Sequence, residues 1–500
     1  MKSKNLIPTI LRNILLVLCL GSFILISYYI FKLDIIPNKY LIPGYIVSIL
    51  LIVLSSIGLF KKTNLIIKII STIVMLLMTI GMIIGINYLS TTYRFLNNTQ
   101  VKYETLNYKV IVLKNSEYSD IKSLENKKIL YLKDDYNNDL KKALKKEIKY
   151  NESIIEEPSK LYEFLKTYQT DALVLEESFM EVLDENIGDF ADNIKIIYEF
   201  SIKVKAHNEK ENNNTKKKTE IDKKQEEELK KIEEEKGKIE EPKKVDREKV
   251  YVIYVSGIDS YGGYGRSDVN QIMVINKNTN HILLANTPRD YYVSLIGKGG
   301  VKDKLTHAGL YGVGVSIATL ERLYNIDINY YIKINFSSVV KLVDLIGGVD
   351  IYNNYAFNSY HIKGWYVRKG NLHLDGRHAL AYARERYNVP GGDRGRGELQ
   401  QKVITAIINK ISKSSTLLNK YNNILNSLSG TFTTDIPTEL MTSFVKYQLD
   451  KMPTWKVSTV SANGYDSMNV TYSAGTAYVM EPDWNSVYNV KSRIYGILGE

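Results

Sequence analysis

Three long apolar runs open the chain and restrict what its first ninety residues can become. Roughly Ile14–Phe31, Leu41–Phe60 and Leu65–Leu89 are almost free of charge, and each approaches the ~20 residues that cross a hydrocarbon core as a helix. A cleaved signal peptide carries one short apolar core and is not followed by two further runs. Residues 1–92 therefore read as three transmembrane helices. Lys2, Lys4 and Arg12 flank the first run, and Lys61, Lys62 and Lys68 sit around the second turn, whereas the first loop holds Lys32 and Lys39 with Asp34 between them. The bias of cytoplasmic segments toward Lys and Arg places the N-terminus and the second loop inside. Three crossings then put everything beyond about residue 90 outside, in a multi-pass protein of the cell membrane.

Beyond the spans the patterning changes. Residues 98–204 read as a small accessory α/β unit, with strands at Tyr108–Leu113, Lys128–Leu132 and Asp171–Leu175 and helices at Asp139–Lys149 and Leu161–Thr167. It resembles half of a periplasmic solute-binding domain and shows no chemical constellation. Residues 205–249 are dominated by Lys, Glu and Asn; such a segment buries too little surface to offset its ordering entropy and reads as a charged linker or solvated helix.

From residue 250 to 500, strand patterns at Val250–Ser256, Gln271–Asn276, His281–Asn286, Tyr330–Asn335 and Val349–Tyr352 interleave with helix patterns at Val313–Tyr324 and Ser337–Leu345. Ser337 or Ser338 is the expected cap of the latter helix, and Gly347-Gly348 its stop. This order predicts a layered α-β-α domain around a central mixed sheet. The formal charge of +11 points to an anionic partner without choosing among nucleic acid, lipid head groups and phosphorylated glycans. Cys19 is the single cysteine, which excludes an intrachain disulfide or a cysteine-based metal site.

Charged residues in this last region fall into four clusters. Gly257-Ile258-Asp259 closes the first strand, followed by Gly265-Arg266-Ser267-Asp268; Arg266 and Asp268 share a face if the segment is extended. Pro288-Arg289-Asp290 follows another strand, with Lys304 and His307 beyond it. Arg384 and Arg386 stand two apart in Tyr382–Arg386; read as extended, they project the same way and repel unless an anion bridges them, and phosphate suits such a pair bidentately. Asp393, Arg396 and Gln400 form one stripe of a helix beginning near Asp393. Together they put six cations and several carboxylates on strand ends and loops, which suits a pyrophosphate, and two aspartates near a strand end suit magnesium. A phosphate loop ending in Gly-Lys-Ser/Thr, a His-Glu-x-x-His zinc motif and a Gly-x-Ser-x-Gly elbow are all absent from the sequence. His307 reads as structural.

In order and spacing these clusters resemble the LytR-CpsA-Psr family of cell-wall glycopolymer ligases. Its pattern is carried by Gly257–Asp259, Gly265–Asp268, Pro288–Asp290, Lys304–Ala308, Val343–Val349, Arg384–Arg386 and Asp393–Gln400, a motif core covering residues 250–412. One departure is Thr306, where the family usually has Asn. The resemblance implies an enzyme that transfers a glycopolymer, of teichoic acid or capsular polysaccharide type, from an undecaprenyl (polyprenyl) pyrophosphate carrier to peptidoglycan through a phosphodiester. Carried over by position, Asp259 and Asp268 would associate with Mg2+ and one of them would act as general base. Arg266, Arg289, Lys304, Arg384, Arg386 and Arg396 would grip the pyrophosphate, Gln400 would donate a hydrogen bond, and Asp393 would orient arginines. Asp259, Asp268, Arg289 and Asp393 are thus the expected catalytic set. The prenyl chain needs an apolar groove, expected between the Val313–Tyr324 and Ser337–Leu345 helices. The expected partners are the carrier-linked glycan, peptidoglycan and membrane lipid, and not nucleic acid, since the basic clusters lie beyond three spans and no recognition helix is visible. The competing reading is a non-catalytic sensor or attenuator of anionic wall polymer or lipid carrier, which would not need the aspartates.

Overall fold

The computed structural model describes residues 6–99, 103–134, 136–205, 220–240, 245–258, 265–413, 422–423, 425–430 and 432–499. These divide into two compact units.

The first unit contains three helices long and apolar enough to cross a membrane: α1 (Leu6–Leu33), α2 (Asn38–Phe60) and α3 (Leu65–Thr99). Cys19, Ile52, Leu59, Met75 and Met82 pack between them. α2 and α3 approach closely where a Cβ on Gly58 would stand 2.0 Å from Ser71 Oγ, the small-residue contact that apolar helices use in lipid. The third helix runs ten residues past the expected end at Leu89, because Ser90–Thr99 contains no glycine or proline to stop it. The described residues within 409–431 and 435–454 group with this unit. Met441 of the helix Thr438–Lys451 packs against the cluster of Leu33, Leu89 and Leu96, and Lys446 and Lys39 pair with Asp34 and Asp450 at 2.7 and 3.1 Å.

The second unit begins with a five-stranded sheet, ordered β3-β2-β4-β1-β5, of β1 (Tyr103–Leu113), β2 (Lys128–Leu132), β3 (Asn151–Ile155), β4 (Ala172–Glu176) and β5 (Ile194–Lys205). Tyr108, Val110, Val112, Ile129 and Tyr131 bury one face against Leu140 and Leu144 of α4 (Asn137–Glu147). Ile111, Leu130 and Leu173 bury the other against α5 (Leu161–Lys166) and Leu183 of α6 (Glu177–Asn186). A four-residue helix, α7 (Phe190–Asn193), leads into β5. Glu176 caps α6 by accepting from Ser178 N at 2.9 Å. Burial pushes its carboxyl up to about 7, against the opposing pull of the Ser178 hydroxyl and amide. Folding therefore retains a proton that the unfolded chain has released between its ordinary 4.5 and about 7, so this stability is fully present below the unfolded value and lost as pH rises through 7. Chemical denaturation at pH 5 and pH 8 should show a drop of up to about 3 kcal/mol toward the higher pH, and Glu176→Gln should flatten it; an unchanged slope in that variant assigns the effect elsewhere.

The segment expected as a charged linker is partly structured. Helix α8 (Glu220–Lys236) carries Leu229 and Ile232 three residues apart. Ile232 is buried, and Leu229, Ile239 and Val245 pack on the main core. Lys491 ties down Glu233 at 3.0 Å. Two apolar side chains on one helical face suffice to dock it, although its overall composition is that of a solvated helix.

The main sheet has six strands, β6 (Val250–Ile258), β7 (Val269–Asn276), β8 (His281–Asn286), β11 (Tyr330–Asn335), β12 (Phe432–Thr434) and β13 (Lys456–Ser461), ordered β12-β11-β6-β7-β8-β13. It is mixed, with β6 parallel to β11, β8 parallel to β13, and β7 antiparallel to both neighbours. The hairpin β9 (Tyr292–Ser294) and β10 (Lys302–Lys304) leads to a short helix, α9 (Leu305–Ala308). Val252, Tyr254, Ile272, Val274 and Leu283 form a face buried under α10 (Val313–Tyr324) and the C-terminal helix Trp484–Gly499. On the opposite face Gln401 of α13 (Gly392–Lys413) donates to Leu284 O and Val460 O at 2.9 and 2.8 Å. Helix, sheet and helix thus stack in three layers.

Helix α11 (Phe336–Leu345) is capped by Asn335, which accepts from Ser337 N at 2.8 Å, rather than by either serine. It packs on α12 (Gly376–Arg384), where a Cβ on Gly376 would meet Val340 O at 2.2 Å. Helix α10 packs into the main core, whereas α11 packs on α12.

Candidate functional site

The topology brings the charged clusters to one edge of the main sheet. β6 ends, β7 starts and β8 ends at this edge, as the pairings Gly257↔Val269 and Gln271↔Asn286 require. The N-terminus of α13 and the C-terminus of α12 arrive beside them. A cavity of about 700 Å³ lies there, lined by Asp268, Arg289, Asp290, Lys304, Arg384, Arg386, Arg396 and Gln400, with Glu185, Asn186, Phe336, Tyr360, His361, Tyr387 and Tyr478. Five cationic side chains therefore meet three carboxylates in one wall, an excess of positive charge suited to a polyanion.

The contacts are specific. Arg289 Nη1 donates to Asp268 Oδ1 at 2.7 Å, its Nε lies 3.7 Å from Asp290 Oδ2, and among the described residues that buried Nε has no hydrogen-bond partner. Lys304 Nζ stands 3.5 Å from Asp290 Oδ1. Asp393 accepts from Arg289 N at 2.9 Å and also from the Arg396 side chain, so it joins the strand-end loop to α13. Burial raises the Asp393 carboxyl above its ordinary range, and the charge of Asp290 adds to this, while Arg396 and Arg289 pull the other way. Burial alone would also raise Asp268, yet the guanidinium groups of Arg289, Arg396 and Arg266 outweigh it and hold that carboxyl below its ordinary range. Thr306, the departure from the family pattern, keeps a contact of 3.4 Å from Oγ1 to Asp268 Oδ1.

Asp259 lies outside the described residues. Asp268, Arg289, Lys304, Arg384, Arg386, Arg396 and Gln400 share the cavity wall, and Asp393 stands behind Arg289 and Arg396. Arg266 is placed differently from the other cations. Its side chain does not join the cavity lining but points to the accessory helix α6, with Nη1 and Nη2 at 2.5 and 3.3 Å from Glu185 and Glu181. The extended geometry expected at Arg384 holds only in part, because α12 continues through Arg384 and the chain turns out at Glu385.

Glu385 is a residue that sequence reasoning left without a role. It is fully buried and accepts from the backbone amides of Tyr360, Arg386, Tyr387 and Asn388 at 2.6–3.3 Å. This nest of amides fixes the turn that carries Arg384 and Arg386, whose guanidinium carbons lie over the rings of Phe336 and Tyr387 at 5.1 and 4.9 Å. A carboxylate between two arginines reads locally as charge compensation; the backbone donors that claim it come from a loop twenty-five residues upstream and from its own turn. Glu185 and Asn186 were also missed, in a unit read as chemically silent. His307 is structural, buried with Nδ1 2.6 Å from Asp303 Oδ1.

Among the described residues no group of three or more His, Cys, Asp or Glu is arranged to hold a metal ion. The oxygen donors present still fit magnesium, which takes one or two protein carboxylates and completes its shell with water and substrate phosphate. Asp268, ionised and at the cavity wall, is a donor of that kind.

Comparison with known proteins identifies residues 195–489 as matching the LytR_cpsA_psr family. A Bacillus cereus protein named polyisoprenyl-teichoic acid–peptidoglycan teichoic acid transferase TagU is 35% identical over 202 residues, covering 40% of this chain and 64% of its own length. The protein of the same name from Enterococcus faecalis is 38% identical over 183 residues, covering 36% and 58%. The match thus spans less than two thirds of either relative. The crystal structure of Bacillus subtilis TagV aligns at 27% identity with a TM-score of 0.42, over 50% of this chain and 98% of that one.

Proposed function

This chain belongs to the LytR-CpsA-Psr family, and we propose that it transfers a phosphoryl-linked glycopolymer from an undecaprenyl pyrophosphate carrier to peptidoglycan. The observation that carries this reading is the convergence of Arg289, Lys304, Arg384, Arg386 and Arg396 on one cavity beside Asp268. The names of the relatives, teichoic acid transferases acting on peptidoglycan, support it. The three membrane-length helices would anchor the chain with its N-terminus in the cytoplasm and the cavity outside, where both carrier head group and wall are available.

In this reading Arg384, Arg386 and Lys304 bind the diphosphate oxygens, and Arg289 and Arg396, locked in position by Asp268 and Asp393, neutralise charge that builds at the bridging oxygen. A peptidoglycan hydroxyl oxygen attacks the sugar-side phosphorus. The bond from that phosphorus to the bridging oxygen breaks, and the electron pair leaves on polyprenyl phosphate. Phosphoryl transfer of this kind is served by placement and charge neutralisation more than by a protein nucleophile. Asp268 is a weak base because its neighbours hold it ionised, which suits it to metal ligation and leaves Asp259 as the candidate to accept the hydroxyl proton. Magnesium held by these aspartates together with diphosphate oxygens would supply further charge neutralisation.

Arg384→Ala and Arg386→Ala, made separately, are expected to lower transfer of lipid-linked glycan to peptidoglycan about a hundredfold each while thermal unfolding stays near wild type. Wild-type rates from either folded variant would remove the diphosphate assignment.

A further inference from the structure

The accessory domain reaches the cavity. Glu181 and Glu185 stand one helical turn apart on α6, and both grip Arg266, at 3.3 and 2.5 Å. Glu185 also lines the cavity. The helix that presents them is firmly seated: Phe179 and Val182 are buried with Leu310 and Ala474, and the Phe179 ring meets Tyr311 edge-on at 5.5 Å.

Two carboxylates at this helical spacing repel each other, and the guanidinium between them relieves that repulsion. Arg266 remains electrostatically coupled to Asp268 of the cavity wall, and its buried Nε has no hydrogen-bond partner among the described residues. A cation at the margin of a polyanion site is thus neutralised by carboxylates borrowed from another domain. Phosphate oxygens satisfy a guanidinium bidentately and carry more charge than a carboxylate.

We propose that Glu181 and Glu185 are positioning residues that hold Arg266 in reserve and surrender it to an entering diphosphate, so that the accessory domain sets which phosphorylated lipid the cavity retains. The inference rests on the diphosphate reading above. A diphosphate has the charge to displace Glu185 from Arg266. The monophosphate left after transfer does not, and Glu185 recaptures the arginine as that product departs.

The test is isothermal titration of the full chain in detergent with farnesyl diphosphate and farnesyl monophosphate. Glutamine keeps the shape of glutamate and one accepting oxygen, so Glu181→Gln with Glu185→Gln is the informative double variant, with its unfolding midpoint compared to wild type. Wild type should prefer the diphosphate, and the double variant should bind the monophosphate about tenfold tighter, one charge-assisted contact in size. Adding Arg266→Ala should cancel that gain. Wild-type selectivity in the double variant, or a gain that survives Arg266→Ala, overturns the proposal. If diphosphate binding is intact and lost in Arg384→Ala while the glutamine variants change nothing, only this inference falls. If neither lipid binds wild type, the diphosphate reading falls and takes the inference with it.

Discussion

Replacing Arg289 with alanine is expected to reduce transfer by two to three orders of magnitude, roughly the loss seen when one preorganised donor is removed from a charge-stabilising site. The effect exceeds that of a binding arginine because the Arg289 guanidinium serves two carboxylates at once, bonding Asp268 directly and lying beside Asp290, while the backbone amide that it presents to Asp393 survives the substitution. Loss of the guanidinium leaves Asp268 buried with only Arg396 and Arg266 to offset desolvation, so the Asp268 carboxyl should rise from below its ordinary range and stability should fall by about 3 kcal/mol. Steady-state transfer and chemical denaturation of the same preparation measure both losses. A variant within threefold of wild-type transfer contradicts this role.

Asp303→Ala carries the largest expected cost to stability. This carboxylate is completely buried and accepts from Lys304 N at 2.7 Å, Ser473 N at 2.9 Å and Ser473 Oγ at 2.6 Å, with His307 Nδ1 also at 2.6 Å. Alanine strands these donors away from water, which costs about 3–5 kcal/mol and lowers the unfolding midpoint by roughly 10 °C for a unit of this size. The loss should also reach the site, since Asp303 holds the amide of Lys304. Asp303→Asn, which keeps an accepting oxygen, should recover part of the midpoint. A midpoint within about 2 °C of wild type for the alanine variant, a cost of about 1 kcal/mol or less, would show that water replaces the carboxylate.

Local pattern made much of this architecture legible. The helix Val313–Tyr324 and the strands His281–Asn286 and Tyr330–Asn335 lie where periodicity placed them, because each has apolar residues at one spacing and turn residues at both ends. The charged clusters were legible as clusters because they interrupt such segments. What stayed hidden depends on distant partners. Nothing near Arg266 indicates that Glu181 and Glu185, some eighty residues upstream, will claim it. Glu385 has its role through amides of its own turn and of Tyr360. The docking of α8 uses Leu229, packed on the main core, and the buried Ile232 within a run of charge, too few apolar residues for composition to register. The grouping of Thr438–Lys451 with the membrane helices follows from Met441 meeting Leu89 and Leu96, again a contact with no local signature.

The central claim is most directly tested by following the sugar-side phosphorus of a doubly labelled, lipid-linked glycan mixed with the full chain, magnesium and peptidoglycan. The account predicts that this phosphorus enters peptidoglycan with the glycan, in a bond that phosphodiester cleavage releases, while the lipid-side phosphorus stays with the prenyl chain. Glycan reaching peptidoglycan without its phosphorus, or both phosphorus atoms remaining on lipid, would contradict it.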